Sequence, residues 1–186
     1  LSLNASGGIQ SAAGALVKVS SLEARAAGVG GVLLTNNNEI TTLAGQATSG
    51  NFEVVVAQTT GLTVGGVGNT TGVNASAGQV KIRNSAGNVT ISELVEGGSK
   101  VEVEANNAAV LQASNGKLKR VGTGPINVVA ASIGEETLNG YLTVETNGAV
   151  SLTSTNGHLS VFNSYSTNAV SLSNYTVSSA ATGKNI

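Results

Sequence analysis

One short pattern repeats between Val80 and Leu172: two or three alternating apolar residues, a turn rich in Gly or Asn, and a second short apolar segment. Clear examples are residues 80–82 with 89–91, 142–144 with 150–152, and 159–161 with 170–172. Alternation of apolar and polar residues is typical of strands that are buried on one side only. The pattern therefore predicts pairs of short, half-buried β-strands that recur along the chain.

These units recur at a regular spacing of about 20 residues, which is the signature of a repeat architecture. Their first strands fall near Leu1, Leu16, Val32, Phe52, Val80, Val101, Leu118, Leu142 and Leu159. We therefore predict an all-β fold, a single-stranded parallel β-helix (β-solenoid) with about nine coils of about 20 residues each. One complete coil is called a rung below. At about 4.8 Å between adjacent strands, nine rungs give a rod of roughly 43 Å.

A β-sandwich is the other all-β architecture with many strands, but its strands are read once each, without a longer period. The strands here are shorter, and similar pairs recur, so the solenoid is the better prediction. We expect residues 1–186 to form one elongated domain. The glycine-rich segment 59–76 departs from the pattern and is expected to form an irregular rung or a lateral loop.

The composition favours a thin aliphatic core. Hydrophobic residues make up 40% of the chain, but aromatic residues only 3% and charged residues only 10%, compared with about 25% charged residues in ordinary domains. The formal net charge of −1 argues against a nucleic-acid partner, which requires a concentrated positive surface. No apolar run is long enough to predict membrane insertion. The chain begins in the middle of the pattern, so we expect it to be a segment of a longer secreted chain.

Several segments carry a family resemblance: GLTVGGVG (61–68), TGVNASAG (71–78), QVKI (79–82), SAGNVTI (85–91) and LSLNASGGI (1–9). They resemble the repeats of filamentous haemagglutinin-type exoproteins, and the likeness extends from Leu1 to about Leu172. The resemblance implies a right-handed parallel β-helix from a very large secreted adhesin, exported by a two-partner system and displayed as a fibre. The amino-terminal secretion domain of such proteins is not in this sequence, which leaves the export route open.

No catalytic, cofactor or metal site is predicted. The chain contains no Asp and no Cys, whereas polysaccharide-cleaving β-helix enzymes normally use clusters of Asp for calcium or for acid–base chemistry. Glu102 and Glu104 alternate along one strand about 7 Å apart, a separation that glycosidases also use. An alternating strand produces such a pair by default, so we do not expect an enzyme. His158, the single histidine, has no Asp to orient it and is expected to be a turn or surface residue.

Six charged residues make up the candidate binding surface: Lys81, Arg83, Glu102, Glu104, Lys117 and Lys119. If neighbouring rungs stack in register, Lys81 lies beside Glu102 and Arg83 beside Glu104. The two lysines of the next rung are expected to approach the same glutamates from the other side. We interpret the group mainly as a ladder of ion pairs that fixes register. The alternative is a face that binds anionic glycans.

Two further expectations concern buried and stacked side chains. Phe52 and Phe162 are expected to fill the interior, while Tyr141, Tyr165 and Tyr175 cover corners and ends or stack on sugars. Asparagine amides can stack from rung to rung as internal ladders, and the expected contributors are Asn36–Asn38 and Asn106–Asn107.

Taken together, these patterns predict a structural and adhesive segment of a bacterial surface-exposed fibrous exoprotein. Its partners are expected to be glycans or surface proteins on host or neighbouring cells. The alternative is a self-assembling extracellular filament subunit whose open end rungs stack end to end. A polysaccharide-cleaving enzyme is the third and least supported hypothesis.

Overall fold

In a computed structural model, which describes residues 1–120, 122–135, 137, 140–165 and 175–179, the chain forms strands and turns without a helix in these ranges. Seventeen strands pair in parallel as one continuous sheet. Each strand pairs with its counterpart in the rungs before and after it, so the chain coils around a shared core. The β-solenoid prediction is therefore confirmed. No described helix is long and apolar enough to cross a membrane.

The parallel sheet is divided into three faces, here called A, B and C, which the chain visits in that order. Face A contains β2 (Gly8–Gln10), the first part of β4 (Gly31–Ala47), β5 (Phe52–Val56), β10 (Gln79–Asn84), the first part of β13 (Lys100–Gln112), the first part of β15 (Ile126–Ile133), β17 (Val150–Ser154) and β19 (Tyr175–Ser179). Face B contains the first part of β3 (Lys18–Ala26), the middle of β4, β6 (Leu62–Val64), β11 (Val89–Ile91) and the ends of β13 and β15.

Face C contains β1 (Ser2–Ala5), the ends of β3 and β4, β9 (Val73–Ala75), β12 (Leu94–Gly97), β14 (Lys117–Arg120), β16 (Leu142–Thr146) and β18 (Val161–Asn163). The strands β3, β4, β13 and β15 are long because each continues around a corner from one face to the next.

The predicted strands at 80–82, 89–91, 142–144 and 150–152 all lie within strands of the three faces. The predicted strand at 170–172 lies outside the described residues.

The solenoid has about seven rungs, so the prediction of nine was slightly too high. The predicted first strands included strands from different faces, so one rung was counted twice. Val101 lies on face A, whereas Leu118 lies on face C of the same rung. The rungs also differ in length: face A partners are separated by 20 residues from Val32 to Phe52, which matches the prediction, but by 28 from Phe52 to Val80.

The longest rung carries a lateral hairpin within the segment 59–76. Between β6 on face B and β9 on face C, the strands β7 (Gly66–Val67) and β8 (Thr70–Thr71) pair antiparallel. This hairpin packs against β4 and β3 of the preceding rungs. The glycine-rich stretch is thus an insertion that leaves the parallel register of the neighbouring strands intact.

Aliphatic side chains stack in columns inside the solenoid. On face A the column of Val32, Phe52, Val80 and Val101 is fully buried, and equivalent positions continue it in later rungs. Burial of this kind stabilises each rung by about 25 cal/mol for every Å² of apolar surface removed from water. The prediction that Phe162 fills the interior was wrong: its side chain is 51% exposed because it lies at an outward position of β18.

Buried asparagines do not form the predicted internal ladder. Asn38 and Asn84 are both fully buried at one edge of face A, but Val56 lies between them in the pairing register. Each amide bonds to backbone groups at its own corner instead of to another asparagine. Buried backbone groups at these corners need such partners, so each amide satisfies the hydrogen bonds of the backbone around it.

Candidate functional site

A column of alternating charge runs along the outside of face A. Lys81 lies between Glu53 in the preceding rung and Glu102 in the following rung. Its Nζ is 2.7 Å from Oε1 of Glu102, and Lys100 pairs with the same glutamate from within its own strand. Gln79 Nε2 donates to Glu53 Oε1 at 2.6 Å, which places an amide beside the Glu53 carboxylate.

A second column lies one outward position further along the same strands. Arg83 Nε is 3.4 Å from Glu104 Oε2, at the register partner predicted from sequence. With its amide oriented to suit both neighbours, Asn106 donates to Glu104 at 2.8 Å and accepts from Arg83 Nη2 at 2.6 Å. The guanidinium, the carboxylate and the amide thus form one hydrogen-bonded group across two rungs.

The other two predicted residues do not join this cluster. Lys117 and Lys119 lie on face C, where Lys117 Nζ is 2.5 Å from Glu145 Oε2 and Lys119 Nζ is 3.2 Å from Glu96 Oε1. The expectation that they approach Glu102 and Glu104 was wrong. The strand that follows β13 in the sequence belongs to another face, and the face A neighbour of Glu102 in the next rung is Asn127.

The ion pair of Lys81 and Glu102 shifts the pKa values of both residues. Burial alone would raise the pKa of Glu102, but hydrogen bonds from Lys100 and Lys81 outweigh it and hold that pKa below its usual value. The hydrogen bond to Glu102 raises the pKa of Lys81. Both shifts favour the charged forms, so the cluster is organised as a stable ion pair.

The positive and negative charges of the face A cluster therefore balance each other. Three basic and three acidic side chains lie on the adjoining strands β5, β10 and β13, and they cancel: Lys81, Arg83 and Lys100 against Glu53, Glu102 and Glu104. A general acid needs a raised pKa, whereas the pKa of Glu102 is lowered. This arrangement suits register control better than proton transfer or the capture of an anion.

A groove on face C was not predicted from the sequence. Its floor is a column of outward polar side chains in successive rungs: Asn4, Arg25, Gln46, Asn74 and Glu96. The sequence signal is the recurrence of a long polar residue between two buried residues, as in Ala24-Arg25-Ala26 and Val73-Asn74-Ala75. The hairpin insertion lengthens one interval and hides this recurrence.

The remaining predicted candidates lie apart from both surfaces. His158 Nε2 is 2.9 Å from the carbonyl oxygen of Gly134, at a turn of the last rungs. Tyr141 and Phe162 form an aromatic pair with ring centroids 5.4 Å apart, and Tyr175 is held by Asn163 Nδ2, which donates to its hydroxyl at 2.6 Å. Among the described residues no group of three or more acidic or histidine side chains is arranged to hold a metal ion.

The fold places this chain in the class of parallel β-solenoid proteins. Neither the family models nor the curated proteins nor the solved structures compared with it give a match. The class is therefore defined by the coiled parallel sheet alone.

Proposed function

We propose that this chain is a structural and adhesive segment of a secreted, surface-exposed bacterial exoprotein. The supporting observation is the parallel register that continues through about seven rungs around one aliphatic core. Each rung satisfies its backbone through its two neighbours, so a solenoid can grow in length without needing a wider core. Such a rod carries surfaces outward from a cell and presents them along its sides.

The outer surface supports the same role. Six ion pairs on the described residues lie on the outside of the solenoid. Cross-strand pairs of opposite charge favour one register and penalise others. A long fibre with weak sequence periodicity needs such markers, because a slip of one residue would turn the core side chains outward. The expected partners are glycans or surface proteins of host or neighbouring cells.

The adhesive role is tested with beads that carry the purified chain. Coated beads should attach to cultured epithelial or bacterial cells more than beads carrying the same mass of thermally unfolded chain. Equal attachment by the two preparations would contradict an adhesive function. Pretreating the cells with glycosidases or with proteases then distinguishes glycan partners from protein partners.

A self-assembling filament subunit is the second candidate, and the first rung favours it. Among the described residues β1 pairs only with β3, and β2 pairs only with β4. Leu3 and Ile9 are only partly buried in this rung, and Leu16 is 46% exposed. Open strand edges of this kind recruit further strands, supplied either by a preceding rung or by a second copy.

Electron microscopy over a concentration series separates the two candidates. Seven rungs at about 4.8 Å predict isolated rods of about 34 Å. Rods of constant length support the adhesive segment, whereas regular fibres that lengthen with protein concentration support end-to-end assembly.

We do not propose an enzymatic role, because both members of the Glu102 and Glu104 pair are engaged with basic side chains. Incubation with acidic polysaccharides is expected to release no reducing ends. Release that is lost in Glu102→Gln would overturn this view.

A further inference from the structure

The groove on face C runs parallel to the solenoid axis across five rungs. Direct register pairs connect each floor residue to the next: Asn4 to Arg25, Arg25 to Gln46, Gln46 to Asn74, and Asn74 to Glu96. Side chains at paired positions of adjacent parallel strands are about 4.8 Å apart. The floor is therefore a regular row of amides with one guanidinium near one end and one carboxylate at the other.

Three depressions lie along this row and share some of its side chains as lining. Their volumes are about 310, 260 and 370 Å³, which together suit an oligosaccharide or a short peptide. Arg25 and Gln46 line the first two cavities, and Asn74 lines the second and third. The groove is thus centred on Gln46, with the guanidinium on one side of it.

The two walls of the groove come from different parts of the rung. One wall is the lateral hairpin, which contributes Asn69, Thr70 and Thr71. The other wall is the series of corners that follow the face C strands, including Thr48 and Ser76. The insertion in segment 59–76 therefore converts a flat sheet face into a concave one.

The hairpin wall is anchored by Glu23. Its Oε1 accepts a hydrogen bond from Thr70 Oγ1 at 2.5 Å, and its Oε2 accepts one from Ser2 Oγ at 2.7 Å. These bonds lower the pKa of Glu23. A wall that is fixed before a ligand arrives reduces the entropy cost of binding.

Arg25 carries the positive charge of the groove, and Glu23, two residues before it on β3, lies close enough for that charge to help lower the Glu23 pKa after the hydrogen bonds from Thr70 and Ser2. Arg25 is exposed and makes no ion pair within the part of the chain that the structure describes. The carboxylate of Glu23, its nearest acidic neighbour in sequence, is occupied by the two hydroxyl donors. At the far end, Lys119 lies 3.2 Å from Glu96. The guanidinium of Arg25 presents a planar fork of N–H donors that matches a carboxylate.

From β3 onward, the backbone of the groove floor offers no open edge for the usual mode of peptide recognition. Peptides often bind by adding a strand to an open sheet edge. The four strands β3, β4, β9 and β12 each pair on both sides, so their N–H and C=O groups are occupied. What the floor offers is side-chain amides, each able to donate and accept hydrogen bonds. Sugar hydroxyls, which also donate and accept, complement such a row.

We propose that the face C groove binds an acidic oligosaccharide along the solenoid axis, with a uronate-type carboxylate on Arg25 and its hydroxyls on Gln46 and Asn74. This inference rests on the proposed adhesive function and names the class of ligand that one of its surfaces takes. The hairpin contributes the threonine hydroxyls of the facing wall. The compensated cluster on face A takes no part.

The probe is hexagalacturonate, and its fully methyl-esterified form is the neutral counterpart. Isothermal titration should show binding of the acid and little binding of the ester, because only the acid offers a carboxylate to Arg25. The variant Arg25→Gln should weaken binding of the acid by about tenfold or more, as expected for loss of a charge-assisted bidentate contact. Lys18→Gln is the matched control: it removes an exposed cation on face B and should leave the affinity unchanged.

Four results would overturn the proposal: no binding of hexagalacturonate by the wild-type chain, equal affinities for acid and ester, equal affinities of wild type and Arg25→Gln, or equal losses in Arg25→Gln and Lys18→Gln. Tight binding of an oligoglutamate peptide in place of the sugar would overturn the choice of ligand class. Far-UV circular dichroism and the melting temperature establish that Arg25→Gln is folded, so that a loss of affinity is not a loss of structure.

The bead experiment distinguishes this proposal from the adhesive function on which it rests. If wild-type and Arg25→Gln beads attach to cells equally well and hexagalacturonate does not bind, the adhesive function stands and the groove assignment fails. If hexagalacturonate binds through Arg25 but coated beads do not attach to cells, the groove assignment stands and the adhesive function fails.

Discussion

Lys81 and Glu102 occupy directly paired positions on adjacent rungs, and their side chains meet at 2.7 Å on the outside of face A. The side chain of Glu102 is 19% exposed and that of Lys81 is 36% exposed, so the pair is partly shielded from water. It marks one register between β10 and β13, because any slip separates the two charges. The neighbouring pair of Arg83 and Glu104 marks the same register.

Reversing both cations tests this role. In the double variant Lys81→Glu/Arg83→Glu, two attractive contacts are replaced by repulsion across the rungs. Since an exposed pair contributes about 0.2–1 kcal/mol, we expect a loss of roughly 1–2 kcal/mol in the free energy of unfolding. Thermal denaturation followed by circular dichroism measures it, and added salt should restore part of the loss.

The control for this reversal is Lys18→Glu. The pair of Lys18 and Glu39 is also a cross-rung contact, at 2.7 Å, but its side chains are 60% and 46% exposed. Its reversal should lower the melting temperature less than either single reversal on face A. An unchanged melting temperature in the double variant would contradict the ladder.

The lowered pKa of Glu102 makes its contribution depend on pH. A carboxyl whose folded-state pKa lies below its unfolded value of about 4.3 contributes stability that is present above that value and lost as pH falls through the folded pKa. Wild type should therefore be more stable than Glu102→Gln at pH 7, and the difference in melting temperature should shrink at acid pH.

The cause of that dependence is tested by removing the two lysines that surround Glu102. In a Lys81→Gln/Lys100→Gln background, burial remains but the hydrogen bonds and charges that outweigh it are lost. The advantage of Glu102 over Gln at pH 7 should then disappear or reverse. An advantage that persists without the lysines would assign the pKa shift to another group.

Much of the fold could be predicted because the alternation of inward and outward residues is visible within each strand, without knowledge of where the chain turns from one face to the next. The segments at 80–82 and 89–91 have inward residues fixed by the core alone, and both are strands. The pairing of Lys81 with Glu102 followed because both strands lie on face A. The number of rungs could not be predicted, since β13 continues around a corner from face A to face B while β14 forms the next face of the same rung.

The groove could not be predicted from sequence for a related reason. Arg25 and Gln46 are 21 residues apart, but Gln46 and Asn74 are 28 residues apart. The difference is the lateral hairpin, and a fixed period therefore places Asn74 out of line with the other floor residues. Only the register across the insertion reveals the row. The exposure of Phe162 was missed because alternation gives two possible phases for an isolated three-residue strand.

Asn84 is expected to be one of the most sensitive positions in the chain. Its Oδ1 accepts from the backbone N–H of Gln58 at 3.0 Å and of Ala86 at 3.2 Å, while its Nδ2 donates to the carbonyls of Gln58 and Asn88. Replacing it by Ala leaves buried backbone groups without partners, which we expect to cost roughly 2–4 kcal/mol. Chemical denaturation measures the change in the free energy of unfolding.

The control for Asn84 is an asparagine in an exposed turn. Asn115→Ala removes the same side chain where water can satisfy the backbone, so its cost should be about 0.5 kcal/mol or less. Asn84→Asp keeps the acceptor but replaces two donated hydrogen bonds by a buried carboxylate facing carbonyl oxygens, and it should be at least as destabilising as Asn84→Ala. Similar stabilities for Asn84→Ala and Asn115→Ala would contradict the view that the Asn84 amide satisfies buried backbone groups.

Gly45 provides the space for the only fully buried aromatic ring among the described residues, that of Phe52. A Cβ atom at position 45 would lie 2.3 Å from Phe52 Cε2 and 2.4 Å from the carbonyl oxygen of Ala24. Gly45→Ala should therefore destabilise the chain by about 1–3 kcal/mol through overpacking. The control is Gly7→Ala, whose Cβ would meet no atom within 4 Å and which should change the melting temperature little.

Replacing the Phe52 ring by a leucine side chain tests whether the ring is what excludes a side chain at position 45. In Gly45→Ala/Phe52→Leu, the added methyl group enters part of the volume that the ring vacates, so the double variant should be more stable than the sum of the two single losses predicts. Recovery should be partial, because the carbonyl oxygen of Ala24 still faces the new methyl group. Strictly additive losses would mean that the backbone contact alone excludes a side chain at position 45, and that the ring and the glycine are not coupled.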